Sequence, residues 1–140
     1  MKKKLSTEND TQQLAKQMAQ SIQPPALIFL EGPLGAGKTT FVRGFLAGLG
    51  FKGTVKSPTF TLVETYTLDK RRVAHFDLYR IKDPAELEAL GIRDYFTEDT
   101  VCIIEWASKA VQNLPEPSIL CKLSIEGKGR TIDIEGWSCD

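Results

Sequence analysis

Residues 32–39 read Gly32-Pro33-Leu34-Gly35-Ala36-Gly37-Lys38-Thr39, the spacing G-x-x-x-x-G-K-[ST], and the apolar run Ala26-Leu27-Ile28-Phe29-Leu30 stands just before them. Placement constrains the fold more than the string does. A phosphate-binding loop needs a buried strand to deliver the chain into a Gly-rich turn, whose backbone N–H groups then face inward as an anion cradle. A helix must open directly after it, with its positive end towards the phosphates. Gly32 and Gly37 permit backbone angles and close approach that a Cβ would obstruct. Lys38 is placed to reach β- and γ-phosphates, and Thr39 to offer a hydroxyl to Mg²⁺. The bland alternative is a strand–turn–helix that carries the string by chance.

The rest of the chain fits one α/β domain over residues 1–140. Its length suffices for a full core. Lys and Arg number 18 against 18 Asp and Glu, so no broad basic field exists to hold nucleic acid or an acidic membrane unaided. Cys102, Cys121 and Cys139 form no C-x-x-C pair, and reduced thiols in a cytoplasmic protein are expected. Cys102 lies in an apolar run and reads as a small core residue. Lys2-Lys3-Lys4 resembles the start of a signal peptide, but the polar stretch 6–13 follows where an apolar segment is required. No apolar run approaches membrane-spanning length.

Thr11, Leu14, Ala15, Met18 and Ile22 recur at helical spacing, which predicts an amphipathic helix over about 8–22 that ends at Pro24-Pro25. The apolar strand that follows is expected to be covered on both faces, as in a parallel sheet. The helix after the loop turns Phe41, Val42, Phe45, Leu46 and Leu49 inward and stops at Gly50. Residues 51–59 read as a mobile loop. Phe60–Leu68 and Val73–Tyr79 read as an antiparallel hairpin around Asp69-Lys70-Arg71-Arg72. A short helix starts at Asp83-Pro84-Ala85-Glu86, and Val101-Cys102-Ile103-Ile104 is a second fully apolar strand. Ile119–Ile125 and Thr131–Ile134 form a second hairpin around Gly127-Lys128-Gly129-Arg130.

Glu105 ends the second apolar strand. Ligands in open α/β sheets gather at the carboxyl ends of strands, and an acid there handles Mg²⁺ in phosphate-loop enzymes. Here Glu stands where Asp is commoner, and an acid capping the next turn is the alternative. Strand alternation puts His75, Asp77 and Tyr79 on one face. A mid-strand carboxylate suits burial only when paired or metal-linked, so Asp77 is placed near the Mg²⁺ or its waters, with a salt bridge to Arg80 or a Lys as the alternative. His75, the only histidine, reads as structural and hydrogen-bonded within the sheet. Ser57-Pro58-Thr59-Phe60 occupies the position of a switch segment, or is a plain loop with a turn-setting Pro.

Gly32–Thr40, Ser57-Pro58-Thr59-Phe60, His75-Phe76-Asp77-Leu78-Tyr79-Arg80, Gly91-Ile92-Arg93-Asp94-Tyr95 and Glu105-Trp106, taken in order, resemble the motif series of the TsaE family, small bacterial ATPases required for threonylcarbamoyladenosine synthesis on tRNA. The resemblance covers nearly the whole chain. It implies ATP and Mg²⁺ at the loop residues Gly35, Ala36, Gly37, Lys38, Thr39 and Thr40, with Thr39 and Glu105 as metal ligands. It further implies a catalytic set of Lys38, Asp77 and Glu105, a switch at 57–60, and Trp106 close to the nucleotide. Thr7-Glu8 and Gly129-Arg130 would flank the base or ribose. Ala107 departs from the pattern, since Pro often follows Glu-Trp in the family. By the same resemblance the chain does not transfer the group itself. It acts on a TsaB–TsaD pair and meets tRNA only indirectly, in line with its neutral charge.

Two other classes compete. A small-molecule or nucleotide kinase needs an acceptor pocket and an arginine-bearing lid, for which little chain is left. A GTPase-like switch would be expected to carry the guanine-reading N-K-x-D string, which is missing. The expected architecture is a phosphate-loop α/β fold: a mixed sheet with flanking helices and antiparallel hairpins at its edges, monomeric when alone.

Overall fold

The structure, a computed structural model, describes residues 1–139. Seven strands form one mixed sheet in the order β1-β7-β6-β2-β5-β4-β3. In chain order they are β1 (Lys2–Leu5), β2 (Ala26–Glu31), β3 (Val63–Thr67), β4 (Arg72–Asp77), β5 (Thr100–Glu105), β6 (Ile119–Glu126) and β7 (Gly129–Glu135). The helices are α1 (Glu8–Ser21), α2 (Lys38–Gly48) and α3 (Ala85–Leu90), with short 3-10 turns at 92–95, 107–109 and 111–113.

The centre of the sheet is parallel: β2 runs between β5 and β6, and β4 lies on the far side of β5. These strands bury both faces. Ile28, Leu30, Val73, Val101 and Ile103 point into the core beneath α1 and α2. Their alternate neighbours Leu27, Phe29, Ala74, Phe76, Cys102 and Ile104 enter the opposite core with Leu87 of α3 and Ile92. The period of two, read through three parallel strands, makes the sheet the partition between two cores. Burial pushes the thiols of Cys102 and Cys121 up to about 12, so both are inert core residues at neutral pH.

Antiparallel hairpins flank the parallel centre, β3 on β4 and β7 on β6, as expected. Two details depart from the sequence reading. Lys2–Leu5 is a strand, hydrogen-bonded antiparallel to β7 from Lys2 opposite Asp133 to Leu5 opposite Arg130. And β3 begins only at Val63, because the chain first turns through 60–62, where Leu62 takes a left-handed φ of 69°.

Helix α1 opens with a reciprocal cap: Thr7 Oγ1 accepts from Asp10 N at 3.1 Å and Asp10 Oδ2 accepts from Thr7 N at 3.2 Å. It then packs on α2 so closely that a Cβ on Gly44 would lie 2.5 Å from the backbone of Gln12. That approach brings the start of α1 beside the start of α2. Among the described residues no helix is long and apolar enough to cross a membrane.

Candidate nucleotide site

Three parallel strands stop together. In the paired register Glu105, the last residue of β5, stands opposite Leu30 of β2 on one side and Asp77, the last residue of β4, on the other. The loop 32–37 leaves β2 at that same edge and feeds α2. Gly32 and Gly37 have φ of 154° and 101°, as the Gly-rich turn requires. The edge is the carboxyl end of the sheet, where open α/β folds collect ligands.

A groove of about 470 Å³ lies there, lined among others by Lys38, Thr39, Thr59, Asp77, Glu105 and Trp106. Beside it a cavity of about 270 Å³ is lined by Thr7, Glu8, Thr40, Gly129 and Arg130. Glu8, Gly35, Gly37 and Thr40 border both, so the two form one continuous surface. All the named candidate residues therefore meet there except Ala36, which is fully buried beneath the loop. Gly129 and Arg130 come from the far end of the chain. Arg130 ties that hairpin to the loop, its Nε donating to Gly35 O at 3.1 Å and its Nη1 to Gly129 O at 2.8 Å.

The Lys38 ammonium is held three ways. Nζ donates to Gly32 O at 2.6 Å, sits 3.7 Å from Glu105 Oε1, and lies 4.4 Å from the centre of the Trp106 ring. Lys38 and Glu105 are 7% and 5% exposed, and a buried charge is tolerable only with such partners. Glu105 Oε2 meets His75 Nε2 at 2.5 Å. The expectation of a structural histidine, hydrogen-bonded within the sheet, thus acquires a named partner. Trp106 turns the chain with a φ of 58°, and its ring rests against Tyr79 at 5.0 Å between centroids. Ala107, despite standing where Pro is often found, is fully buried and begins the 3-10 turn behind it.

Asp77 makes no salt bridge among the described residues. Its Oδ1 accepts from Tyr79 N at 3.0 Å, and its Oδ2 accepts from Thr59 Oγ1 at 3.2 Å. Thr59's single proton is spent there, so Ser57 Oγ, 2.8 Å away, is the donor to Thr59. The loop after α2 is thereby joined to the acid at the end of β4. Farther back, Tyr66 of β3 anchors the same loop: its hydroxyl accepts from Lys56 N at 3.0 Å and donates to Lys56 O at 3.3 Å, and its ring packs edge-on against Phe51. Burial raises the Tyr66 phenol above its ordinary value, which keeps that donor in place. The sequence reading has no signal for this anchor. It expects His75 hydrogen-bonded within the sheet and, by resemblance, Arg130 beside the nucleotide, but names neither partner, since Glu105 and Gly35 come alongside them only through the strand order. Arg80 lines the groove and its guanidinium lies over the Phe60 ring at 4.4 Å, whereas Arg93 is exposed and pairs with Glu88 at 3.4 Å.

The family model "Threonylcarbamoyl adenosine biosynthesis protein TsaE" matches residues 5–132. The chain belongs to the TsaE family. A Haemophilus influenzae relative, named tRNA threonylcarbamoyladenosine biosynthesis protein TsaE, is 51% identical over 108 residues, spanning 77% of this chain and 68% of that protein. A Bacillus subtilis relative of the same name is 43% identical over 107 residues, spanning 76% of this chain and 66% of that protein. Matches to such TsaE relatives thus span about two thirds of the relatives' own length. Among solved structures, the crystal structure of Bacillus subtilis YdiB superposes with a TM-score of 0.80 and 32% identity, covering 94% of this chain and 82% of that one. The fold is thus the mixed α/β architecture of phosphate-loop NTPases.

Proposed function

We propose that this chain is an Mg²⁺-dependent ATPase that supports threonylcarbamoyladenosine modification of tRNA in the cytoplasm. It acts on a TsaB–TsaD pair and does not transfer the group itself. The 140 residues form the ATPase domain, monomeric when alone. The observation that carries the reading is the convergence of Lys38, Thr39, Asp77 and Glu105 on one groove at the carboxyl ends of three parallel strands. The names borne by its relatives supply the pathway.

In this reading the loop N–H groups cradle the phosphates, and Lys38 exchanges its grip on Gly32 O for β- and γ-oxygens. The adjoining cavity between Thr7-Glu8 and Gly129-Arg130 takes the base and ribose. The donors at the groove suit Mg²⁺, being hard oxygens: the Thr39 hydroxyl and the Glu105 carboxylate oxygen not engaged by His75. No group of three His, Cys, Asp or Glu side chains gathers to hold a metal among the described residues, so phosphates and water would complete the shell. Bound there, the ion supplies neutralisation of charge on the transferring phosphoryl group. Asp77, tethered through Thr59 to the 57–60 loop, orients the attacking water, and docking of the protein pair orders that loop and quickens hydrolysis. With charges balanced at 18 and 18, the surface suits a protein partner better than direct tRNA contact.

Turnover measured with ATP, GTP and candidate phosphoryl acceptors, with and without TsaB–TsaD and tRNA, tests this directly. Slow ATP hydrolysis stimulated by the pair is expected. Phosphorylation of an acceptor, or preference for GTP, would assign the groove to a kinase or a GTPase-like switch.

A further inference from the structure

We propose that His75 is a positioning residue for Glu105, fixing which carboxylate oxygen is presented to the metal. The inference rests on the Mg²⁺–nucleotide reading of the groove. His75 is 1% exposed, and its Nε2 lies 2.5 Å from Glu105 Oε2. Its Nδ1 is buried and has no hydrogen-bond partner among the described residues, so the ring has a single polar task. A buried imidazole kept for shape alone would gain nothing over Phe or Leu at that position, since it carries the cost of an unpaired nitrogen.

The two oxygens of Glu105 are thereby divided. Oε2 faces back into the sheet towards His75, while Oε1 faces the groove, 3.7 Å from Lys38 Nζ. When Lys38 turns to a phosphate, its hold on Oε1 goes, and the His75 contact is then what keeps the carboxylate aimed. This also accounts for a Glu at the end of β5. Its longer arm has one more rotatable bond than Asp, and the histidine on the neighbouring parallel strand removes that freedom. Outer partners of ligating carboxylates change metal affinity by about 10- to 100-fold when removed.

The test is calorimetric and independent of turnover. ADP is titrated into the full chain with Mg²⁺ and, separately, with EDTA, for wild type, His75→Gln and His75→Phe. The gain in ADP affinity from Mg²⁺ should fall about tenfold or more in His75→Phe, with affinity in EDTA nearly unchanged. His75→Gln, whose amide nitrogen reaches close to the position of Nε2, should keep most of the gain. If His75→Phe does not fold by circular dichroism, His75→Asn, which is too short to reach Glu105, should show the same loss. An undiminished Mg²⁺ gain in the variant lacking the donor overturns the proposal, and so does a His75→Gln protein as impaired as that variant. Failure of the wild type to bind ADP in either condition would instead remove the nucleotide reading itself, and this inference with it.

Discussion

On one wall of the groove Lys38 and Glu105, with His75 behind them, are almost wholly buried, and each has a fixed partner on a parallel strand or on the loop. Around the loop that carries Ser57 and Thr59, Phe60 is 79% and Tyr79 43% exposed. The segment is held by Thr59 Oγ1 on Asp77 at 3.2 Å, by Leu62 O accepting from Asp77 N at 3.0 Å, by Arg80 over the Phe60 ring at 4.4 Å and by the Tyr66 hydroxyl at Lys56. The first wall is pre-formed, with its charges already desolvated and aimed. Loosening it costs the paired burial of two ions. The second wall, that of the loop, is held by a few partly exposed contacts, each hydrogen bond worth roughly 0.5–1.5 kcal/mol, with no paired burial of ions among them. In the proposed function, phosphate and metal handling would belong to the rigid side, and a partner protein would control the hydrolytic step through the more weakly held side.

The comparison breaks most readily at Lys38. Lys38→Ala should leave the sheet intact while abolishing measurable ATP turnover, because the phosphate contact is lost along with the partner of buried Glu105. Near-wild-type turnover in the folded variant would falsify the assignment of the rigid wall. Next in size are the isosteric changes Glu105→Gln and Asp77→Asn, which remove charge and keep shape. Hydrolysis should fall on the order of 10²-fold or more in each, with ATP binding less affected. An Mg²⁺ titration checks this, and whichever variant keeps full activity throughout has been given the wrong role.

Thr59→Ala severs the bond between the loop and Asp77, so its effect should be smaller and confined to control. Stimulation of ATPase by TsaB–TsaD should drop several-fold. A stimulation equal to wild type would mean that the 57–60 loop does not transmit docking.

The rigid wall was largely legible in the sequence, because its residues stand at strand ends and in a loop whose chemistry is local. Glu105 is marked by four apolar residues before it, and Lys38 by its glycines. What escaped depends on which strands lie side by side. Nothing in the order of the chain says that β4 lies beside β5, so the His75–Glu105 contact, 30 residues apart, carried no signal. The same holds for Arg130 reaching Gly35 across 95 residues. Strand β1 was invisible for another reason. Lys2-Lys3-Lys4 is exposed and charged, only Leu5 is buried, and the strand exists because β7 offers an open edge. The late start of β3 follows from the turn at Leu62, which hydropathy does not register.

Trp106 offers the most direct test of where nucleotide binds. Its ring lies 4.4 Å from the Lys38 ammonium, so a phosphate that draws Lys38 away must change the indole's surroundings. Trp137, which donates to Ser21 Oγ at 2.7 Å at the end of α1 away from Thr7 and Glu8, lines neither the groove nor the adjoining cavity and should not respond. Titrating Mg-ATP into Trp137→Phe should then give a saturable change in fluorescence whose midpoint agrees with calorimetry. Calorimetric binding with no change in Trp106 emission would place the nucleotide elsewhere and contradict the account.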